Sequence, residues 1–195
     1  MGTSLWLVPD PETSSKLRRI MDKTTSGATS PSSYPIFHPH LTLTTVPSTT
    51  PESVLRDAIE TTQVQVPITF KSVDVGPKYF MSVYAQAQRT PELIALRAHL
   101  SSKLGEKTVP PIPHMSMFYI DDADAGERQK LADLLREEGR VVDAPGGGSV
   151  LLDCSEGEER GVDVLGGFGG KEIWVMVCDG HPREWKRKGE VIYLK

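Results

Sequence analysis

Two tetrapeptides of one form, 74 positions apart, constrain this chain more than any other feature: His40-Leu41-Thr42-Leu43 and His114-Met115-Ser116-Met117. Each reads histidine, apolar, hydroxyl, apolar. Alternation with period two is the mark of a strand with one buried face. It turns Leu41, Leu43, Met115 and Met117 toward a core and sets His40, Thr42 and Thr44 on the other side of the first strand. Each motif follows a proline-containing loop (Pro39; Pro110-Pro111-Ile112-Pro113) and each is followed by a helical pattern. The repetition predicts two similar lobes whose motif strands face one another across a cleft.

The surrounding sequence fills in an α+β order with antiparallel connections, read as one domain over 1–195. Leu5-Trp6-Leu7-Val8 is a short buried strand stopped by Pro9, and Glu12 to Thr25 has helical spacing. Ser26 to Pro39 is a Ser-, Pro- and Thr-rich loop leading into the first motif. Thr50-Pro51-Glu52 and Thr90-Pro91-Glu92 open helices that run to about Gln63 and Gly105. Val64 to Val75 and Tyr79 to Ala87 form a hairpin around Gly76-Pro77-Lys78. Asp121 to Gly139 is a charged amphipathic helix with a solvated acidic face. Val150 to Leu152 and Ile173 to Val177 are strands, Gly157 to Gly170 is a glycine-rich turn, and Val191 to Leu194 is a last strand or a tail.

A net charge of -4 excludes a generally basic nucleic-acid coat. Any phosphate ligand must therefore meet local positive charge, and must be small or held by its end. No run approaches the roughly 18 apolar residues that span a bilayer. The Leu5–Val8 piece is too short for a secretory signal, and Met1-Gly2 followed by Trp6 is a poor acylation signal, which places the chain in the cytoplasm. Cys154 and Cys178 read as buried free thiols in a reducing compartment, a structural bridge between them being open. Neither has metal-ligand spacing, and His38-Pro39-His40 has no Asp, Glu or Cys nearby to complete a ligand set, so no metal is expected. His99 and His181 read as surface residues, and Lys186-Arg187-Lys188 as a solvated patch.

On one strand the histidine and the hydroxyl stand about 6.5–7 Å apart, close enough to touch different atoms of one phosphate. Two such pairs give two imidazoles and two hydroxyls around one phosphorus. In-line phosphodiester cleavage uses this set: one neutral histidine deprotonates water, one protonated histidine feeds the leaving oxygen, and the hydroxyls donate to the non-bridging oxygens.

With HLTL at 40–43 and HMSM at 114–117, the sequence resembles the 2H phosphoesterase superfamily. Its nearest branch looks like the 2′,3′-cyclic nucleotide 3′-phosphodiesterases of plants and fungi. Ser4-Leu5-Trp6-Leu7-Val8-Pro9 is similar to that branch's first strand, and Tyr119 in HMSMFY matches a tyrosine that lines its phosphate site. The resemblance implies a bilobal fold, with two antiparallel sheets facing a central cleft and helices outside. It implies hydrolysis of nucleoside 2′,3′-cyclic phosphates to 2′-phosphates, and of ADP-ribose 1″,2″-cyclic phosphate, a by-product of tRNA splicing, to the 1″-phosphate. Neither metal nor cofactor is implied. His114 is the general base and His40 the general acid by this analogy, with the reverse left open by the symmetry. Thr42, Ser116 and Tyr119 bind phosphate, and Trp6 stacks on the base. The expected partner is a small nucleotide bound by a monomer, with no stable nucleic-acid partner and no membrane. Two alternatives stand beside it: a non-catalytic RNA-end binding module, and a sister enzyme acting on longer RNA, for which a basic groove would be expected.

Overall fold

Among the described residues, two of the four α-helices start at a capping side chain followed by proline. The structure is a computed structural model that describes residues 2–60 and 62–195. Asp10 accepts the Thr13 amide ahead of α1 (Pro11–Met21), satisfying one of the orphan donors of the first turn. α2 (Glu52–Asp57) has only proline before it and no side-chain cap. It is shorter than the expected run to Gln63, and Thr61 of that run lies outside the described residues. Thr90 caps α3 (Pro91–Leu104), which ends at Gly105 with φ 99°, a left-handed value that glycine adopts without strain. α4 (Gly126–Glu137) follows a short 3-10 turn at Asp122–Asp124, so the charged segment is not one continuous helix. Among the described residues no helix is long and apolar enough to cross a membrane.

The strands are β1 (Thr3–Val8), β2 (Leu41–Val46), β3 (Val66–Val75), β4 (Val83–Ala87), β5 (His114–Phe118), β6 (Val141–Asp143), β7 (Val150–Asp153), β8 (Val164–Leu165), β9 (Gly167–Gly170), β10 (Glu172–Val177) and β11 (Lys186–Tyr193). They form an α+β architecture of two antiparallel sheets. Eight strands in the order β11-β10-β1-β2-β5-β4-β3-β9 curl into a half-barrel, and β6-β7-β8 form a smaller sheet. The large sheet is two four-stranded halves meeting at β2 and β5 through one paired position, Leu41 opposite Met115. The motif strands are thus neighbours lying side by side in one sheet, where the sequence suggested strands opposed across a cleft. One face of the sheet carries Leu5, Leu7, Leu41, Leu43, Met115 and Met117, all fully buried. α3 packs against β2 and β3, and α4 against β3 and β4.

Both motif strands carry a bulge at the same place. Leu5 and Trp6 of β1 pair with Thr44 and Thr42, passing over Leu43. Val83 and Tyr84 of β4 pair with Phe118 and Ser116, passing over Met117. An extra residue flips the facing of all that follows. Thr44, expected beside Thr42, therefore points into the core, while Thr45 and Tyr119 return to the motif face. The Thr44 hydroxyl is buried with no partner among the described residues. Such a group costs roughly 1–3 kcal/mol, so Thr44→Val is expected to raise the unfolding free energy by about 1 kcal/mol, read as a higher urea midpoint at constant m.

Two segments differ from their sequence reading. The glycine-rich turn holds the strands β8 and β9, and its glycines serve close packing. A Cβ on Gly167 would collide with the Ile68 carbonyl, and one on Gly170 with the Leu7 side chain. The Ser26–Pro39 loop is tied down by Asp124, whose carboxylate accepts from the Thr29 and Ser30 amides and the Ser33 hydroxyl. Asp124 is buried, as are Glu127 and Arg128, so this part of the charged segment is not the solvated face expected. Cys154 and Cys178 are buried free thiols.

Candidate active site

The antiparallel register decides how the motif residues meet. With Leu41 opposite Met115 on the core face, the flanking positions fall on the other face, His40 beside Ser116 and Thr42 beside His114. The two histidines then sit at one diagonal and the hydroxyls at the other, diagonal neighbours on such a ladder being about 7–8 Å apart. All four line one cleft of about 480 Å³, together with Trp6 and Tyr119. The structure thus gathers every residue singled out from the sequence. It adds Thr45, Lys78, Phe80, Cys178 and Trp185 to the walls. Thr45 and Tyr119 are equivalent: each stands five residues after its histidine, brought round by the bulge.

The two imidazoles are held alike. His40 Nδ1 bonds the His38 carbonyl at 2.6 Å, and His114 Nδ1 bonds the Ile112 carbonyl at 2.8 Å. In both, the acceptor lies two residues back across a proline, Pro39 or Pro113. The proline keeps the residue before it extended, which aims that carbonyl at the ring. A carbonyl can only accept, so Nδ1 carries the proton and Nε2 is presented to the cleft. The Pro-His dipeptide before each motif was the sequence signal for this lock.

Their surroundings differ. His40 is 4% exposed and lies flat on Trp6, ring centroids 3.5 Å apart and planes within 7°. His114 is less buried and meets Tyr84 edge-on, at 5.2 Å and 65°. Burial pulls His40 down to about 3, only partly countered by its bond to the His38 carbonyl. Burial also lowers His114. His38 lies outside this cleft, in a second pocket with Ser14, Arg18 and Trp174, and is lowered to about 4 by burial and by Arg18. Before substrate binds, the imidazoles are therefore neutral at neutral pH.

That neutrality has a cost in acid. The unfolded chain binds protons at these histidines near pH 6.5, while the folded chain resists until about 4 at His38 and about 3 at His40. Stability is therefore complete above pH 6.5 and falls as pH drops below it, by up to about 1.4 kcal/mol per pH unit for each histidine. Unfolding free energy at pH 5 is expected to lie about 2 kcal/mol or more below its pH 7 value, measured by urea unfolding. Asp124, held at about 2 by its hydrogen bonds, adds a loss of its own only as pH falls below about 3.8.

Three placements qualify the sequence expectations. Trp6 is 2% exposed and His40 covers one of its faces, so it borders the cleft without offering the open platform expected for a base. Tyr119 is buried and stacked on Phe37 at 4.1 Å, and burial pushes its phenol up, leaving it a neutral donor. The Ser116 hydroxyl donates to the Phe80 carbonyl at 2.8 Å and must rotate to reach a ligand. The exposed aromatic of the cleft is Phe80, at 44%, with its ring centroid 5.8 Å from that of Trp185. Among the described lining residues Lys78 is the one cationic side chain, and none carries a carboxylate. Phe80 and Lys78 carry no sequence signal because they sit in a hairpin loop, and Trp185 carries none because it follows a turn far from either motif. Among the described residues no three of His, Cys, Asp or Glu gather as a metal site.

A family model described as cyclic phosphodiesterase-like protein matches residues 1–192. No curated protein matches the chain. Among solved structures, Escherichia coli LigT in complex with 3′-AMP superposes with a TM-score of 0.56 at 13% identity, over 99% of this chain and 97% of that one. LigT in complex with NADP+ gives 0.58 at 14%, over 99% and 97%. A structure described as a phosphoesterase gives 0.56 at 13%, over 98% and 97%. At this identity the likeness concerns the fold.

Proposed function

The chain belongs to the cyclic phosphodiesterase-like family within the 2H phosphoesterases, and on that premise we propose that it hydrolyses nucleoside 2′,3′-cyclic phosphates to 2′-phosphates by acid–base catalysis without metal. ADP-ribose 1″,2″-cyclic phosphate is a second substrate of the same kind. The carrying observation is the diagonal square of His40, Thr42, His114 and Ser116 in one cleft, each imidazole presenting Nε2.

His114 takes a proton from water as its oxygen bonds to phosphorus. The bond from phosphorus to the 3′ oxygen breaks, and His40 gives that oxygen its proton. The two histidines end with exchanged protonation states, reset through solvent. Thr42 and Ser116 donate to the non-bridging oxygens, where charge gathers, and Tyr119 and Lys78 support them. The substrate itself helps charge His40. A phosphate charge about 4 Å from an imidazolium favours it by about 4 kcal/mol at an effective dielectric of 20, or about three pKa units. The scarcity of cations on the walls fits a small monoanion better than a long RNA. That the relative E. coli LigT is seen with 3′-AMP supports a nucleotide-sized occupant.

The base rests on Phe80 and Trp185 at the mouth. Stacking of this sort is worth roughly 1–3 kcal/mol per base. Phe80→Ala is therefore expected to raise KM for 2′,3′-cyclic AMP about 5- to 100-fold with kcat nearly unchanged, in steady-state kinetics. The reading as a whole is tested by incubating the protein with 2′,3′-cyclic AMP and EDTA and identifying the product by chromatography. Adenosine 2′-phosphate supports it. The 3′-phosphate moves the broken bond to the 2′ oxygen, loss of activity with chelator makes the reaction metal-dependent, and no product favours a binding module.

A further inference from the structure

The histidine locks are equivalent, but their aromatic neighbours are not. His40 lies parallel to the Trp6 indole at contact distance, whereas His114 meets Tyr84 edge-on. An aromatic face carries negative quadrupole density and attracts a cation, most strongly for tryptophan and most effectively where water is excluded. An imidazolium lying flat on an indole face at 3.5 Å is attracted more strongly than one set 5.2 Å from the centre of a phenol ring. Trp6 is itself fixed, by its β1 register opposite Trp174 and Thr42 and by the edge of Trp185 at 5.7 Å.

We propose that Trp6 is a positioning residue that favours the proton-donating form of His40 by presenting its indole face to the imidazole, and so breaks the symmetry of the two motifs. The proposal rests on the cyclic-phosphodiesterase reading above and explains which histidine serves as the acid. The groups facing His40 leave this task to Trp6. From its own segment come the His38 carbonyl and imidazole, from β5 come His114 and the neutral Tyr119, from the end of β10 comes the neutral Cys178 thiol, and from the hairpin loop come Tyr79 and Lys78. His38, His114 and Lys78 oppose a charge on His40 or are neutral, and no carboxylate lines the cleft among the described residues. Phosphate arrives only with substrate; the indole is permanent.

The test is the pH profile of kcat for wild type, Trp6→Phe and Trp6→Leu with 2′,3′-cyclic AMP, 2′,3′-cyclic UMP and a base-free ribose 2,3-cyclic phosphate. The alkaline limb, which reports the acid in the enzyme–substrate complex, is expected to move down by about one pH unit in Trp6→Leu and by less in Trp6→Phe. Above that limb kcat falls about tenfold, equally for all three substrates, with little change in KM. An unmoved limb in an active variant overturns the proposal. A KM rise confined to the base-bearing substrates makes Trp6 a base platform and also overturns it. Movement of the acidic limb instead makes His40 the base, and the proposal then fails as well. Should Trp6→Leu fail to fold, fluorinated tryptophans placed at position 6 weaken the ring face at nearly constant shape and are expected to shift the limb in proportion to fluorine number. Failure of the underlying reading is separate: it appears as wild type opening no cyclic phosphate, or as His40→Ala retaining full activity.

Discussion

His40→Ala and His114→Ala are each expected to lower kcat by roughly 10²- to 10⁴-fold with the fold retained. Each removes a group placed to move one of the two protons, and the main core lies on the opposite face of β2 and β5, so truncation costs His40 its contact with Trp6 but leaves that core intact. The double variant is expected to lose little more than the worse single one, because residues acting as a unit are not additive. Thr42→Ala and Ser116→Ala fall short of these losses, since each removes one donor among several to the phosphate. Steady-state kinetics with 2′,3′-cyclic AMP, alongside circular dichroism to confirm folding, decides the matter. Full activity in either histidine variant removes the two-histidine mechanism.

The second large effect concerns the joint of the sheet. Leu41 and Met115 are fully buried and form the one paired position between β2 and β5. Leu41→Ala or Met115→Ala deletes core atoms and leaves a cavity, at about 2–5 kcal/mol of unfolding free energy. That is a large part of the roughly 5–15 kcal/mol typical of a domain. Their neighbours in sequence are His40 and His114, so a relaxed joint also alters the diagonal between the two imidazoles. Leu100→Ala on α3, equally buried, serves as the control. It is expected to destabilise comparably while the folded enzyme keeps its kcat, whereas the joint variants lose kcat at temperatures where they remain folded. Denaturant unfolding and kinetics on the same samples separate the two. Equal kcat loss in all three refutes a special role for the joint.

Much of the site was legible because it is local. The alternation of HLTL and HMSM places imidazole and hydroxyl on one face by backbone geometry alone, and the preceding prolines prepare the carbonyl that orients each ring. The helix start at Thr90 was readable for the same reason, since a cap satisfies amides within its own first turn, whereas the first helix was read only from Glu12 and its Asp10 cap came with the structure. β9 was not. This glycine-rich strand forms by pairing with Val66–Thr69 of β3, close against Ile68 and Leu7, and no period in GFGG reveals that. The tie between Asp124 and residues 29–33 was equally hidden, as its partners are about 90 positions apart in the chain and nothing in either segment names the other.

What the chain's order of residues determined by itself was the chemistry available, namely two imidazole–hydroxyl pairs, because i to i+2 relations are set by strand geometry wherever the strand lies. Tertiary structure alone decided that the two strands lie side by side, that bulges bring Thr45 and Tyr119 back to the cleft and send Thr44 into the core, and that one imidazole rests on an indole while its twin does not. Those outcomes depend on contacts between distant segments, where the register of one strand on another and the space left by the core select among arrangements that local geometry permits equally.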